Sequence, residues 1–199
     1  MKKCLILDYG VGNIASLTTF FREHNYIVSF GNKIEEIKNT ELLILPGVGS
    51  FRTAVENINK SGVATAIQDR HFKQKPIIGI CLGFQLLTKE SEESPSFPGL
   101  NIFNGFTRRL EEFSRIGWDK INFKDYENCP TNDYFYFNHS FGIYELQNFG
   151  IKAFSGTSQH CALFIENNTV GVQFHPERSQ NAGKEFIIWL EKEIWNLND

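Results

Sequence analysis

The sequence predicts an α/β fold: an open, mostly parallel sheet flanked by helices, with a mixed or antiparallel extension in the second half. Three observations carry this. Through residues 3–93, short apolar runs alternate with stretches of helical periodicity, the pattern of successive parallel βαβ units. From 99 to 175 the pattern changes to closely spaced β-like runs. The chain then closes with one amphipathic stretch. A length of 199 residues, 41% hydrophobic and 22% charged, suits a single domain spanning 1–199 with a sizeable core.

Taken in order, KCLILDY (3–9) is an apolar run, read as a buried first strand, that ends at a turn from Gly10 to Gly12. NIASLTTFFREHN (13–25) follows as a helix with Leu17, Phe20 and Phe21 on one face and Asn13 as its N-cap. YIVSF (26–30) is a second strand, and ELLILPGVGSF (41–51) a third, broken by Pro46 and two glycines. Helical periodicity covers 51–72, with a break expected at Gly62. KPIIGI (75–80) is a fourth strand that runs into a helix over CLGFQLLTKESEE (81–93). The β-like runs of the second half are GLNIF, RIGWDKINF, YFYFNHSF, GIKAFSG, CALFIE and TVGVQF. ENCPTND (127–133) reads as the most exposed loop. KEFIIWLEKEIWNL (184–197) is helical, with Phe186, Ile187, Leu190, Ile194 and Leu197 at helical spacing.

Composition removes several function classes. A net charge of −3 gives no basis for a nucleic-acid or anionic-membrane partner. No run approaches the roughly 18 apolar residues of a membrane span, and the run after Lys3 meets Asp8 too soon for a signal-peptide core. The four cysteines, Cys4, Cys81, Cys129 and Cys161, show neither zinc-ribbon nor disulfide-framework spacing. Scattered thiols fit a reducing, cytoplasmic location. His24, His71 and His160 lack ligand-spaced neighbours, so no metal is expected, and no P-loop calls for a nucleotide cofactor.

One cysteine differs from the rest. Residues 79–83 read Gly-Ile-Cys-Leu-Gly between a strand and a helix, a nucleophile elbow centred on Cys81. A sharp strand-to-helix turn lifts the nucleophile clear of the sheet, and flanking glycines relieve its crowding. The N-terminal end of the helix favours thiolate, which is expected to lower the Cys81 pKa, and the N–H of Leu82 is suited to an oxyanion. Near the other end of the chain, VGVQF delivers His175, with Glu177 two residues on. An extended segment would put both side chains on one side, so the carboxylate would hold one ring nitrogen while the other takes the thiol proton. A histidine near a glutamate is on its own more often an ordinary polar pair. Combined with an elbow cysteine, a Cys81–His175–Glu177 triad is the better reading.

The Gly-Ile-Cys-Leu-Gly-Phe-Gln and Gln-Phe-His-Pro-Glu runs, in this order, resemble the two signature motifs of the class I, triad-type glutamine amidotransferases, whose fold is a flavodoxin-like α/β sheet. Asp8–Asn13, Leu45–Phe51, Ile116–Trp118, Tyr136–Phe141 and His175–Gln180 narrow the resemblance. They are similar to the glutaminase subunits of imidazole glycerol phosphate synthase, over nearly the whole chain. The resemblance implies hydrolysis of L-glutamine to glutamate and ammonia with no cofactor. The ammonia would pass, within a heterodimer, to a cyclase/synthase subunit that makes imidazole glycerol phosphate and AICAR in histidine biosynthesis. It also implies a second oxyanion donor at Val48 or Gly49, in a loop whose glycines let backbone approach substrate. Gln85, His139, Ser140 and Phe141 would hold glutamine, and Glu93 would receive its ammonium group.

Ser114-Arg115, Asp119 and Asn138 depart from the synthase-subunit pattern. They are expected to lie away from the triad. A paralogous glutaminase that supplies ammonia for amidino groups on bacterial surface sugars is therefore the alternative. A γ-glutamyl peptidase on a similar fold and a non-catalytic module are further classes. The Leu-Pro-Gly-Val-Gly-Ser-Phe loop argues against the first, and the intact Cys, His and Glu set against the second.

Overall fold

A computed structural model describes residues 1–111, 114–123, 134–147, 149–155 and 160–197. The expected loop at 127–133 and Cys129 lie outside them. The first half follows the predicted alternation, with one short helix, α2, that the sequence reading lacks: β1 (Lys2–Leu7), α1 (Ile14–Glu23), β2 (Tyr26–Gly31), α2 (Ile34–Asn39), β3 (Leu42–Leu45), α3 (Phe51–Ser61), α4 (Ala64–Phe72), β4 (Ile77–Ile80) and α5 (Leu82–Leu87). The second half supplies β5 (Glu90–Ser91), β6 (Phe106–Arg109), β7 (Arg115–Phe123), β8 (Tyr134–His139), β9 (Phe141–Tyr144), β10 (Ile151–Ser155), β11 (Cys161–Glu166) and β12 (Thr169–Val172). The final helix, α6 (Gln180–Trp189), runs into one π turn at Leu190–Ile194.

The sheet order is β2-β1-β3-β4-β12-β11-β10-β7-β8, with β9, β6 and β5 branching from β11. The five strands from β2 to β12 are mutually parallel. From β12 outward the pairing turns antiparallel through β11, β10, β7 and β8. This is the expected α/β sheet with its antiparallel extension.

Apart from the edge strand β2, the parallel strands are buried on both faces, and alternate residues feed two separate cores. Cys4, Ile6, Leu42, Ile44, Ile78 and Ile80 face a layer formed by Leu17, Phe20 and Phe21 of α1 and Phe186 and Ile187 of α6. Leu5, Leu7, Leu43, Leu45 and Ile77 face Ile37, Phe51, Ala54, Val55, Ile58 and Ile67 on the opposite side. Each such aliphatic or aromatic side chain, fully withdrawn from water, stabilises the fold by about 1.5–3 kcal/mol. The sheet is thereby held rigid under the loops at its carboxyl edge.

Local signals mostly hold. The Asn13 side chain caps α1 by accepting from Ser16 N at 3.3 Å. The break at Gly62 is a left-handed C-cap with φ 70°. Three expectations need correction. The helix after Cys81 stops at Leu87, well short of Glu93, because Glu90–Ser91 pair with β6 instead. GLNIF is not a strand: the N–H groups of Leu100, Asn101 and Ile102 donate to the carbonyls of Leu86, Thr88 and Leu87, so the segment closes off the end of α5. His175 and Glu177 do not share an extended segment, because Pro176–Arg178 form a 3₁₀ turn.

Candidate active site

Cys81 sits at the junction of β4 and α5 with φ 50° and ψ −103°. A non-glycine residue in that region stores about 1–3 kcal/mol of strain, which the packing on both sides must hold. The flanking glycines make the packing possible. A Cβ at Gly79 would lie 2.6 Å from Gly83 O, and one at Gly83 would lie 2.1 Å from Leu45 O. Only hydrogen fits at either position, so the start of α5 can press onto β3 and β4. Leu82 then supplies a first-turn N–H with no acceptor of its own within the helix.

Register brings distant parts of the chain to this point. β4 lies between β3 and β12, all parallel, with Leu45 opposite Gly79 and Val172 opposite Ile80. The residues following each strand therefore meet at one carboxyl edge: Pro46–Gly49, Cys81, and Gln173–Glu177. Cys81 N donates to Val172 O at 2.7 Å, tying the elbow cysteine to β12.

His175 is buried, and its Nδ1 lies 2.9 Å from Glu177 Oε1. The carboxylate is 3% exposed, so this contact is shielded from solvent. His175 Nε2 has no hydrogen-bond partner among the described residues, which leaves it available on the side of Cys81. Burial pulls the imidazole pKa down, but proximity to Cys81, followed by the hydrogen bond and charge of Glu177, outweighs it and pushes the pKa up to about 10. The ring is thus disposed to accept a proton. Ser179 fixes the turn: its hydroxyl donates to His175 O at 2.7 Å and accepts from Tyr136 N at 3.0 Å.

The Pro46–Gly49 loop faces Cys81. Gly47 is buried, while Val48 and Gly49 are exposed, the Val48 side chain at 40%. Gly49 has φ 134°, a conformation L side chains rarely adopt, and a Cβ there would lie 2.6 Å from Val11 Cβ. The buried Tyr9 hydroxyl donates to Pro46 O and so anchors the start of the loop. Its far end is held by Glu93, whose Oε1 accepts from Phe51 N at 3.0 Å at the start of α3. Glu93 therefore sits beside the loop.

A second cluster adjoins the sulfur. Gln85, one turn after Cys81 and 4% exposed, donates from Nε2 to Phe141 O at 3.0 Å. The same carbonyl lies 2.8 Å from His139 Nδ1. Burial lowers the His139 pKa to about 4, so this ring is neutral at physiological pH and serves as a hydrogen-bonding group. Ser140 links β8 to β9 and is half-buried. Gln85, His139, Ser140 and Phe141 are thus brought together. Sequence reasoning missed Tyr9, Gln173 and Ser179. Gln173 had a signal, being the one polar residue in the apolar run Val170–Phe174.

Cys4 and Cys161 are free thiols, buried in the core, and burial raises each pKa to about 12. Neither is equipped as a nucleophile. Among the described residues no group of three or more His, Cys, Asp or Glu could hold a metal ion, and no helix is long and apolar enough to cross a membrane.

The family described as Glutamine amidotransferase class-I matches residues 5–193. The chain belongs to the class-I glutamine amidotransferases. As a glutamine amidotransferase, it is also similar to proteins named imidazole glycerol phosphate synthase subunit HisH. The Prochlorococcus marinus protein is 35% identical, covering 96% of this chain and 99% of the relative. The Chlorobaculum tepidum protein is 34% identical, covering 92% and 96%. The Lactococcus lactis protein is 33% identical, covering 98% and 100%. Among solved structures, a glutamine amidotransferase superposes with TM-score 0.77 at 16% identity, over 94% of this chain and 97% of the other. PurLQS from Thermotoga maritima gives TM-score 0.76 at 17% identity, over 96% and 98%. At those identities the structural likeness speaks to the fold alone.

Proposed function

We propose that this amidotransferase is the glutaminase subunit of an imidazole glycerol phosphate synthase, hydrolysing L-glutamine through a Cys81–His175–Glu177 triad. The observation that carries the site is the buried 2.9 Å contact of Glu177 with His175 Nδ1, which leaves Nε2 turned to the elbow cysteine. His175 takes the thiol proton. The sulfur attacks the side-chain amide carbon of glutamine, and the proton passes to the leaving ammonia. Water, activated by the same imidazole, then hydrolyses the glutamyl thioester to glutamate. The N–H of Leu82 and an N–H at Val48 or Gly49 receive the oxyanion. Gln85, His139, Ser140, Phe141 and Glu93 hold the substrate.

The relatives' shared name, at 33–35% identity over nearly the full chain, supports histidine biosynthesis over amidino-group formation on surface sugars. The ammonia passes to a cyclase/synthase subunit docked beside the site. That face carries Ile116, Trp118 and Tyr134, which are 68%, 47% and 54% exposed. Trp118 stacks edge-on against Tyr136, whose ring lies 4.1 Å beneath the Arg178 guanidinium and next to His175. An exposed aromatic strip with an arginine is the composition that protein interfaces favour. The cytoplasm is the compartment that fits such a reaction.

The test is glutamine hydrolysis by the purified chain, alone and with the cyclase subunit, for the wild type and Cys81→Ser. Turnover that rises with the partner and falls by several orders of magnitude in the variant supports the reading. Undiminished turnover in Cys81→Ser refutes it.

A further inference from the structure

Gln173 has no part in the triad, yet it is the fully buried polar side chain nearest the nucleophile. Its relative exposure is 0%, and its Nε2 donates to Cys81 Sγ at 3.5 Å. The placement follows from register. Val172 is paired with Ile80 across β12 and β4, so the next residue on each strand, Gln173 and Cys81, must be neighbours. Gln173 N donates to Ala162 O at 2.9 Å, which fixes its backbone on the side of β11.

The orientation of the amide is also determined. Gln85 Nε2 lies 3.4 Å from Gln173 Oε1 while donating to Phe141 O. Gln85 presents only N–H to that oxygen, so the Gln173 oxygen must face Gln85 and its N–H must face the sulfur. A flipped amide would set two donors against each other in a buried site, at the cost of both hydrogen bonds. The sulfur therefore receives a donor from Gln173 even before it is ionised. The sulfur also lies 3.8 Å from Asn138 O, so Asn138 adjoins the triad instead of lying away from it as the sequence suggests.

We propose that Gln173 is a further catalytic residue: its side-chain N–H, locked by Gln85, donates to the Cys81 sulfur and stabilises it as thiolate. A hydrogen bond to a charged acceptor is stronger than one to its neutral form, so the contact favours transfer of the thiol proton to His175. The donor also holds the sulfur toward the substrate side of the strained elbow. This rests on Cys81 being the nucleophile, and the test separates the two claims.

Gln173→Met keeps side-chain length and volume but removes the donor. The readouts are kcat and KM for glutamine with the synthase partner present, and the rate at which iodoacetamide alkylates Cys81, followed by peptide mass spectrometry. The expected result is a loss in kcat and in alkylation rate of about tenfold to hundredfold, with KM nearly unchanged. The buried thiols Cys4 and Cys161 report folding in the same experiment, since they stay unlabelled while the core is intact. Should they react in Gln173→Met, Gln173→Glu replaces it, putting an oxygen where the N–H stood, with the same losses expected. Alkylation and kcat within about twofold of wild type in a folded variant overturn the proposal. If instead Cys81→Ser retains turnover, the triad reading has failed.

Discussion

Gly47→Ala isolates how closely the oxyanion loop must approach the nucleophile. Gly47 is buried, and a Cβ there would lie 2.0 Å from Ile80 O, 2.7 Å from Ile80 C and 2.9 Å from Cys81 Cβ. Ile80 belongs to β4, an interior strand held between β3 and β12, and cannot yield. The loop must therefore withdraw by about 1 Å before a methyl group is tolerated there. Its ends are held by Tyr9 on Pro46 O and by Glu93 on Phe51 N. The exposed middle, Val48 and Gly49, gives way outward. An oxyanion donor displaced by that distance is worth little, and losing one costs roughly 10²–10³ in kcat, or about 2.7–4 kcal/mol. The assay is steady-state glutamine hydrolysis by the complex with its synthase partner, alongside a thermal melt. We expect kcat to fall about a hundredfold while KM changes little, because the substrate cluster around Gln85 and Phe141 is untouched. A kcat within about threefold of wild type would refute the assignment of this loop to the transition state.

By analogy with a serine triad, His175→Ala should cost about six orders of magnitude in kcat and Glu177→Gln about four, since the carboxylate orients the ring without carrying the proton. The reverse order in a hydrolysis assay would overturn that division of labour. Arg70 is buried at 1% exposure and donates to the carbonyls of Ile37, Thr40, Glu41 and Pro76. Arg70→Met should cost about 3 kcal/mol in urea denaturation without changing the specific activity of folded protein. Burial lowers His139 to about 4 and His160 to about 3, from an ordinary value of 6.5. Both rings stay neutral in the folded chain while the unfolded chain takes up protons, so stability is lost as pH falls from 6.5 toward 4 and is unaffected by these groups above it. Each ring accounts for roughly 3 kcal/mol at pH 4, and His160→Phe should shrink the loss seen between pH 7 and 4.5 by about 2 kcal/mol. An unchanged pH dependence in His160→Phe would show that the ring is not the source.

The fold class, most of the element order and the elbow at Cys81 are legible in the chain itself because each depends on neighbours a few residues apart. Alternating apolar runs and helical faces follow from the periods of strand and helix. The Gly-Ile-Cys-Leu-Gly elbow and the His-Pro-Glu turn are local geometries that only certain residues permit, and no other described cysteine has such flanks. α2 and β6 carry too few residues for their periodicity to register, and the helix after Cys81 ends at Leu87, short of the expected Glu93. Its end is set by the pairing of Glu90–Ser91 with β6, a partner about 16 residues away in chain and invisible to local pattern. What tertiary structure alone decided is the contents of the carboxyl edge. Tyr9 reaches Pro46, Glu93 holds the start of α3, and Gln173 meets Cys81 across 92 positions of sequence. Those contacts arise from strand order and register, which are chosen by burial of two opposite faces at once and not by any segment's own preference.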